Sequence, residues 1–212
     1  MTPRPPPPDS DLLERREILD EAGIARTLRR LALEIVERVP QAERPLYFVG
    51  IRTGGAYLAQ RLVELVAAAG EAKPLSGAVD ISLYRDDVFR GLPKPEIGPT
   101  ELPEPVDGKT IVLVDDVLFT GRTVRAAMDV LADYGRPRSV KLAALVDRGR
   151  RELPIQPDFV GVAVQTTATE SVRVMLKEQG GVDRVVLRER IKPPAWESAQ
   201  TGKAAKGTEH SK

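Results

Sequence analysis

No cysteine occurs anywhere in this chain, which removes disulfides, thiolate zinc sites and cysteine nucleophiles together. Histidine is nearly as scarce. His210 stands alone in a polar C-terminal stretch, so a histidine-based triad or metal cluster is excluded. Aromatic residues make up 4% of the chain, and no stacking platform for nucleic-acid bases is evident. No apolar run approaches the roughly 20 residues needed to span a bilayer, and the proline-rich N-terminus lacks the apolar stretch of a signal peptide. The expectation is a cytoplasmic protein with no membrane partner. An excess of one charge is also lacking, with 32 basic against 31 acidic side chains. That balance argues against a protein basic throughout, yet it leaves room for a local basic face. What is present, 42% hydrophobic residues over 212 positions, suits one domain with a real core and modest extensions.

Residues 1–18 read as a proline-rich extension and a helix start. Thr2 to Pro8 are mostly proline, and Asp9 or Ser10 is placed to cap a short helix through Leu12, Leu13, Ile18 and Leu19. Residues 192–212 form a polar tail, leaving 19–191 as the domain. Ile24, Leu28, Leu31, Ile35 and Val39 recur at helical spacing, predicting a helix that ends before Pro40. Leu46 to Ile51 reads as a buried strand, and Gly54-Gly55 then turns the chain into a helix carrying Leu58, Leu62, Leu65 and Val66. Val79 to Tyr84 alternates as a strand does. The dominant strand covers 110–114, with a helix from about Thr123 to Tyr134 and another strand over 140–146. The segments 159–164, 171–176 and 182–187 read as edge strands. Strands alternating with helices predict an α/β fold, a mainly parallel central sheet flanked by helices. Residues 85–107 hold Pro93, Pro95, Pro99 and Pro105 with few apolar groups, a pattern that predicts a functional lid loop.

The chemistry concentrates in the strand beginning Ile111-Val112-Leu113-Val114. It ends in Asp115-Asp116, and Val117-Leu118-Phe119-Thr120-Gly121-Arg122-Thr123 follows at once. Burying a carboxylate without a partner is expensive, so two acids at the end of a core strand need a reason. Ligands of open parallel sheets bind beyond the carboxyl ends of the strands, where both acids sit. Strand geometry would point them to opposite sides, each within reach of ribose hydroxyls or a magnesium-bound water. The following loop opens a helix whose first amides lack partners, a cradle for phosphate. Thr120 and Thr123 add hydroxyls, Gly121 lets the backbone approach the anion, and Arg122 adds charge. Neither GxxxxGK[ST] nor GxGxxG occurs, which disfavours a P-loop nucleotidase and a dinucleotide fold.

This segment resembles the 5-phosphoribosyl-1-diphosphate (PRPP) signature of the type I phosphoribosyltransferases. More of the chain is similar to one branch, the PyrR-type pyrimidine operon attenuation proteins that also act as uracil phosphoribosyltransferases. The matching stretches are Val49-Gly50-Ile51-Arg52-Thr53, Asp80 to Asp87, the acidic strand with its loop, Gly135-Arg136-Pro137 and Leu145 to Ile155. The resemblance implies a type I phosphoribosyltransferase fold with a small hood and a mobile lid, and transfer of phosphoribose from PRPP to uracil, giving UMP and diphosphate. It implies Asp115 and Asp116 around the ribose and a Mg2+ ion, and residues Val117 to Thr123 along the 5-phosphate loop. Arg52, Thr53 and Gly54 would meet pyrophosphate, in a loop where peptide geometry is often unusual. Tyr84, Arg85 and Asp86 would form the base of the lid, with Arg85 approaching the leaving group, and Val146 and Asp147 the wall near uracil. Such transfer works by positioning and charge neutralisation, without a histidine or cysteine nucleophile. This chain departs from the family at Gly54, where arginine is usual, at residues 161–167, and at Arg150, where histidine is usual.

The resemblance further implies UMP-responsive binding of pyrimidine operon leader mRNA, with transcription attenuation, by a homodimer or higher homo-oligomer. Arg26, Arg29 and Arg30 lie beside the apolar stripe of the first long helix, and Arg148, Arg150 and Arg151 cluster after a strand. Arginine suits phosphate because its fork presents paired donors, so these six are the expected RNA contacts. Two other functions compete: an RNA-binding regulator with little catalysis, and a phosphoribosyltransferase for another base, suggested by Gly54-Gly55.

Overall fold

The computed structural model of the chain describes residues 12–82, 84 and 99–190. The proline-rich segment with Asp9 and Ser10, the residues Arg85 and Asp86 expected at a lid, and the polar tail lie outside the described residues. Five parallel strands form the central sheet in the order β3-β2-β4-β5-β6. They are β2 (Leu46–Ile51), β3 (Leu75–Val79), β4 (Thr110–Leu118), β5 (Ser139–Asp147) and β6 (Phe159–Ala163). Helix α1 (Glu21–Arg38) starts at Asp20, whose carboxylate accepts from the Gly23 amide at 2.6 Å. Helices α2 (Gly54–Ala68) and α3 (Arg122–Asp133) cross over between parallel strands.

Side chains alternate across the sheet, as strand geometry requires. Phe48, Val112, Val114 and Leu145 pack under α1 and α2. Val49, Ile111, Leu113 and Ala144 pack on the opposite face with Val124, Ala127 and Val130 of α3. From β2 the chain moves outward to β3, then returns to β4 on the other side of β2 and continues to β5 and β6. Connections therefore reverse direction between β2 and β4, the kind of switch point where a crevice opens beyond the strand ends.

A second sheet of three antiparallel strands, β1-β8-β7, forms the small hood. Here β1 is Leu12–Leu19, β7 Glu170–Met175 and β8 Arg184–Arg190. The helix expected through Leu12, Leu13, Ile18 and Leu19 is thus a strand. Its alternation is broken where register shifts fall between Glu14 and Arg16 and between Glu17 and Leu19. The strand expected over 182–187 lies at the centre of the hood rather than at an edge. Arg61 of α2 ties hood to core. It donates to both oxygens of Asp183, at 2.6 and 2.8 Å, and to both of Glu178, at 2.9 and 2.6 Å.

The strand expected from Val79 to Tyr84 ends where it was thought to begin. Asp80 accepts from the Ser82 amide at 2.9 Å and its hydroxyl at 2.6 Å, a local turn that competes with the sheet ladder. The described end of the expected lid is anchored too. Glu101 and Ala78 exchange main-chain hydrogen bonds at 2.8 and 2.9 Å, and Val106 is buried. Among the described residues, no helix is long and apolar enough to cross a membrane.

Candidate functional site

Both acids lie toward the C-terminal end of β4, which continues through Val117 and Leu118, one strand away from the start of α2. Asp115 shares the side of Leu113, facing the α3 layer, and Asp116 shares the side of Val114, facing α2. Asp116 lies against the Cα of Gly54, so close that any Cβ there would collide with its carboxylate. A Cβ on Gly55 would likewise strike the Val114 carbonyl. The Gly54-Gly55 pair is therefore what lets the first turn of α2 approach β4. The positive end of that helix is brought to Asp116. The Arg52-Thr53 peptide just before it is cis.

Asp115 is 4% exposed. One of its oxygens accepts from the Asp116 amide at 3.0 Å, while the other, Oδ2, is buried with no hydrogen-bond partner among the described residues. Burial and the neighbouring Asp116 charge hold the Asp115 carboxyl well above the ordinary carboxylate range. Burial raises that of Asp116 as well. A buried acceptor without a partner is costly, and a ligand hydroxyl or a water on a bound cation would relieve it. Among the described residues no group of three or more acidic or histidine side chains could cage a metal. Magnesium keeps several waters and binds through one or two carboxylates plus substrate phosphates. The acids present fit such an ion.

The loop into α3 has the form expected of an anion cradle. Gly121 holds φ at 93°, a left-handed conformation, and among the described residues no side chain caps the helix. The first helical amide bonded within α3 is that of Arg125, to the Gly121 carbonyl at 2.9 Å. Earlier amides have no intrahelical acceptor, and Thr120 Oγ1 lies a long 3.4 Å from that of Arg122. Val117 is half-buried, whereas Leu118 and Val146 are buried in the core. Phe119 stacks under Arg148, with the guanidinium carbon 4.0 Å from the ring centroid. Asp147 closes β5, its carboxylate accepting from the Gly149 amide and from Arg151, both at 2.8 Å.

The other side of the switch point is a cleft of about 690 Å³ lined by Arg52, Thr53, Tyr57, Gln60, Thr100 and Glu101 among others. Arg52 turns its guanidinium to the Pro99 carbonyl at 3.0 Å and to Glu101 at 3.1 Å. Tyr84 donates its hydroxyl to Asp133 at the far end of α3.

The six arginines expected at an RNA surface divide sharply. Arg26 and Arg29 stand exposed on the outer side of α1, without hydrogen bond or ion pair among the described residues. Arg30 is committed to the sheet edge through the Val160 and Gly161 carbonyls. Arg148 is turned inward to Thr166 and the Glu170 carbonyl, at 3.2 and 2.7 Å. Arg151 is half-buried, its guanidinium paired with Asp147, and Arg150, at φ 55°, faces outward and reaches the Thr166 carbonyl at 3.3 Å. The sequence assigns no site role to Thr166, which lies in the departing stretch 161–167 and holds two of these arginines, or to Asp133. Asp133 is not distinguished by its neighbours in the chain.

Acids at the switch point of a parallel sheet, a glycine-turned helix start beside them and an antiparallel hood define a type I phosphoribosyltransferase. Residues 14–179 match the family described as Phosphoribosyl transferase domain. The fold is shared with a hypoxanthine phosphoribosyltransferase from Staphylococcus aureus (TM-score 0.61, 19% identity, 87% of this chain and 95% of that one). It is also shared with a hypoxanthine-guanine phosphoribosyltransferase from Bacillus anthracis (TM-score 0.61, 16% identity, 82% and 98%). Identities that low bear on the fold alone, not on the base. In sequence, the chain is 50% identical over 174 residues to Bifunctional protein PyrR from Syntrophobacter fumaroxidans (82% of this chain, 93% of the relative). It is 50% identical over 180 residues to the protein of the same name from Brevibacillus brevis (85% and 100%). The chain belongs to the PyrR family.

Proposed function

We propose that this protein transfers the phosphoribosyl group of PRPP to uracil, giving UMP and diphosphate, and binds pyrimidine operon leader mRNA in response to UMP. The observation that carries the first half is the buried, partnerless Oδ2 of Asp115 beside an uncapped helix start. An acceptor so placed calls for a polyhydroxylated, phosphorylated ligand. In this reading Asp115 and Asp116 receive the ribose hydroxyls and hold Mg2+ through water. Amides and hydroxyls of Thr120, Gly121, Arg122 and Thr123 take the 5-phosphate. Residues 52–54 meet the diphosphate, and Val146 and Asp147 border the base.

The reaction breaks the bond from ribose C1 to the diphosphate oxygen and forms one from C1 to a uracil nitrogen, whose proton leaves. Magnesium brought in with PRPP supplies neutralising charge for the departing diphosphate. The protein's own groups align the two reactants and stabilise charge as it develops. Arg85 and Asp86 are proposed for the lid that excludes water from the activated ribose.

The RNA half rests on Arg26 and Arg29, exposed and uncommitted on α1, with Arg150 outward on its loop. Steady-state UMP formation from uracil, PRPP and magnesium, run beside hypoxanthine and guanine, tests the first half. No product with uracil at saturating PRPP would overturn it. Labelled leader RNA with and without UMP tests the second, and binding indifferent to both RNA sequence and UMP would remove it.

A further inference from the structure

After β5 the chain folds back over the β4–α3 loop as a strap, residues 148–155. The strap holds three successive carbonyls of the loop. The Arg148 amide donates to the Leu118 carbonyl at 2.9 Å, and the amides of Glu152 and Leu153 to that of Thr120 at 3.0 and 3.1 Å. The carbonyl between them, that of Phe119, is held by a side chain, Nη1 of Arg151 at 3.0 Å. In a trans peptide the N–H points opposite to the C=O of the same unit. Carbonyls drawn to the strap therefore turn the amides of Phe119, Thr120 and Gly121 away from it. Consecutive amides aimed one way make an anion-binding concavity.

Of these anchors only Arg151 acts through its side chain. Its side chain is 11% exposed, and every guanidinium nitrogen is engaged. Nε donates to the Ile155 carbonyl at 2.9 Å, Nη1 also to that of Gly149 at 3.1 Å, and Nη2 pairs with Asp147 at 2.8 Å. Leu153 and Ile155 back the loop apolarly, within 3.4 Å of where a Cβ on Gly121 would sit. The exposed pair from Arg122 to Glu152, at 2.8 Å, adds little by comparison.

We propose that Arg151 is a positioning residue for the phosphate loop, setting the Phe119-Thr120 peptide plane through the Phe119 carbonyl. The inference rests on the reading of this loop as the 5-phosphate site. Its test compares UMP with uridine, which lacks the phosphate, by calorimetry or by competition against PRPP. Arg151→Gln is expected to weaken UMP about tenfold or more, the scale of a lost charge-assisted hydrogen bond, and to raise KM for PRPP alike. Uridine affinity should stay within about twofold of the wild type. Arg151→Lys keeps the charge beside Asp147 but not the fork, and an intermediate loss is expected. It carries the same readout should the glutamine variant not fold. Equal weakening of UMP and uridine would make the role merely structural and overturn the proposal. So would loss of RNA binding with UMP affinity unchanged. A wild-type protein that does not prefer UMP to uridine would instead refute the phosphate-site reading itself.

Discussion

Burial of the Asp115 carboxyl beside Asp116 raises its pKa, so ionising it works against the folded state. The unfolded value is about 3.9. The fold is therefore penalised increasingly as pH rises from there through the higher folded value, and not at all below both. Asp115→Asn is expected to melt at or above the wild-type temperature at neutral pH, with the gap closing in acid, while turnover falls about 100-fold or more. Calorimetry with parallel UMP assays decides it, and a variant that melts lower and keeps its activity would show the carboxyl to be structural. Gly54 is the other sensitive position. A Cβ there would lie 2.8 Å from Asp116 Cγ, so Gly54→Ala must swing that carboxylate aside. A loss of about 10- to 100-fold in kcat/KM is expected, the scale of a small misplacement of reacting groups. Gly54→Arg, the residue usual in the family, should not raise activity on this backbone. Gain of turnover with arginine would show that the α2 start is more pliable than its packing suggests.

At the scale of elements, the Arg61 clamp makes hood and core one unit. Asp183 is 5% exposed, and its hydrogen bond from Arg61 holds the carboxyl below the usual range. Arg61→Met leaves that carboxylate buried without its cation, at a cost of about 3 kcal/mol in urea unfolding. Because the folded pKa is depressed, the stabilisation is full above the unfolded value and drains as pH falls through the folded one. The gap between wild type and variant should accordingly shrink in acid, and a pH-independent gap would refute the clamp's electrostatic character. The legibility of elements in the sequence follows the same logic of burial. Strands β2, β4 and β5 have apolar runs because both faces are covered, and α1 shows its stripe because one face is. Strand β1 has mainly exposed side chains and two register shifts, so no period of two survives in it. In β3, Leu75-Ser76-Gly77-Ala78-Val79, three half-buried residues precede two buried ones and give no alternation, while the Asp80 turn that follows imitates it.

For the whole molecule, a near-neutral charge conceals its own distribution. Arginine clusters look alike in sequence whether they face solvent or the interior. Only the fold separates Arg26 and Arg29 on the outside of α1 from Arg30, Arg148 and Arg151, whose forks are bound to backbone. The acidic strand end was legible because a core strand cannot carry charge idly. The strap that supports the phosphate loop was not, since main-chain bonds leave no residue signature. Arg26→Ala and Arg29→Ala are each expected to reduce the salt slope of leader-RNA binding by about one and to leave UMP formation unchanged. Filter binding over a salt series measures this, and an unchanged slope would move the RNA surface elsewhere.

The hood joins the first described strand to the last, Leu12 facing Arg190 across the β1–β8 ladder. On the ribosome, where domains fold from the N-terminus as the chain emerges, β1 must wait for β8 before it finds its partner. The parallel sheet has every strand once β6 is out at Ala163. A nascent chain arrested there would hold the acids and the phosphate loop in a core open on the hood side, and release of the last strand closes it.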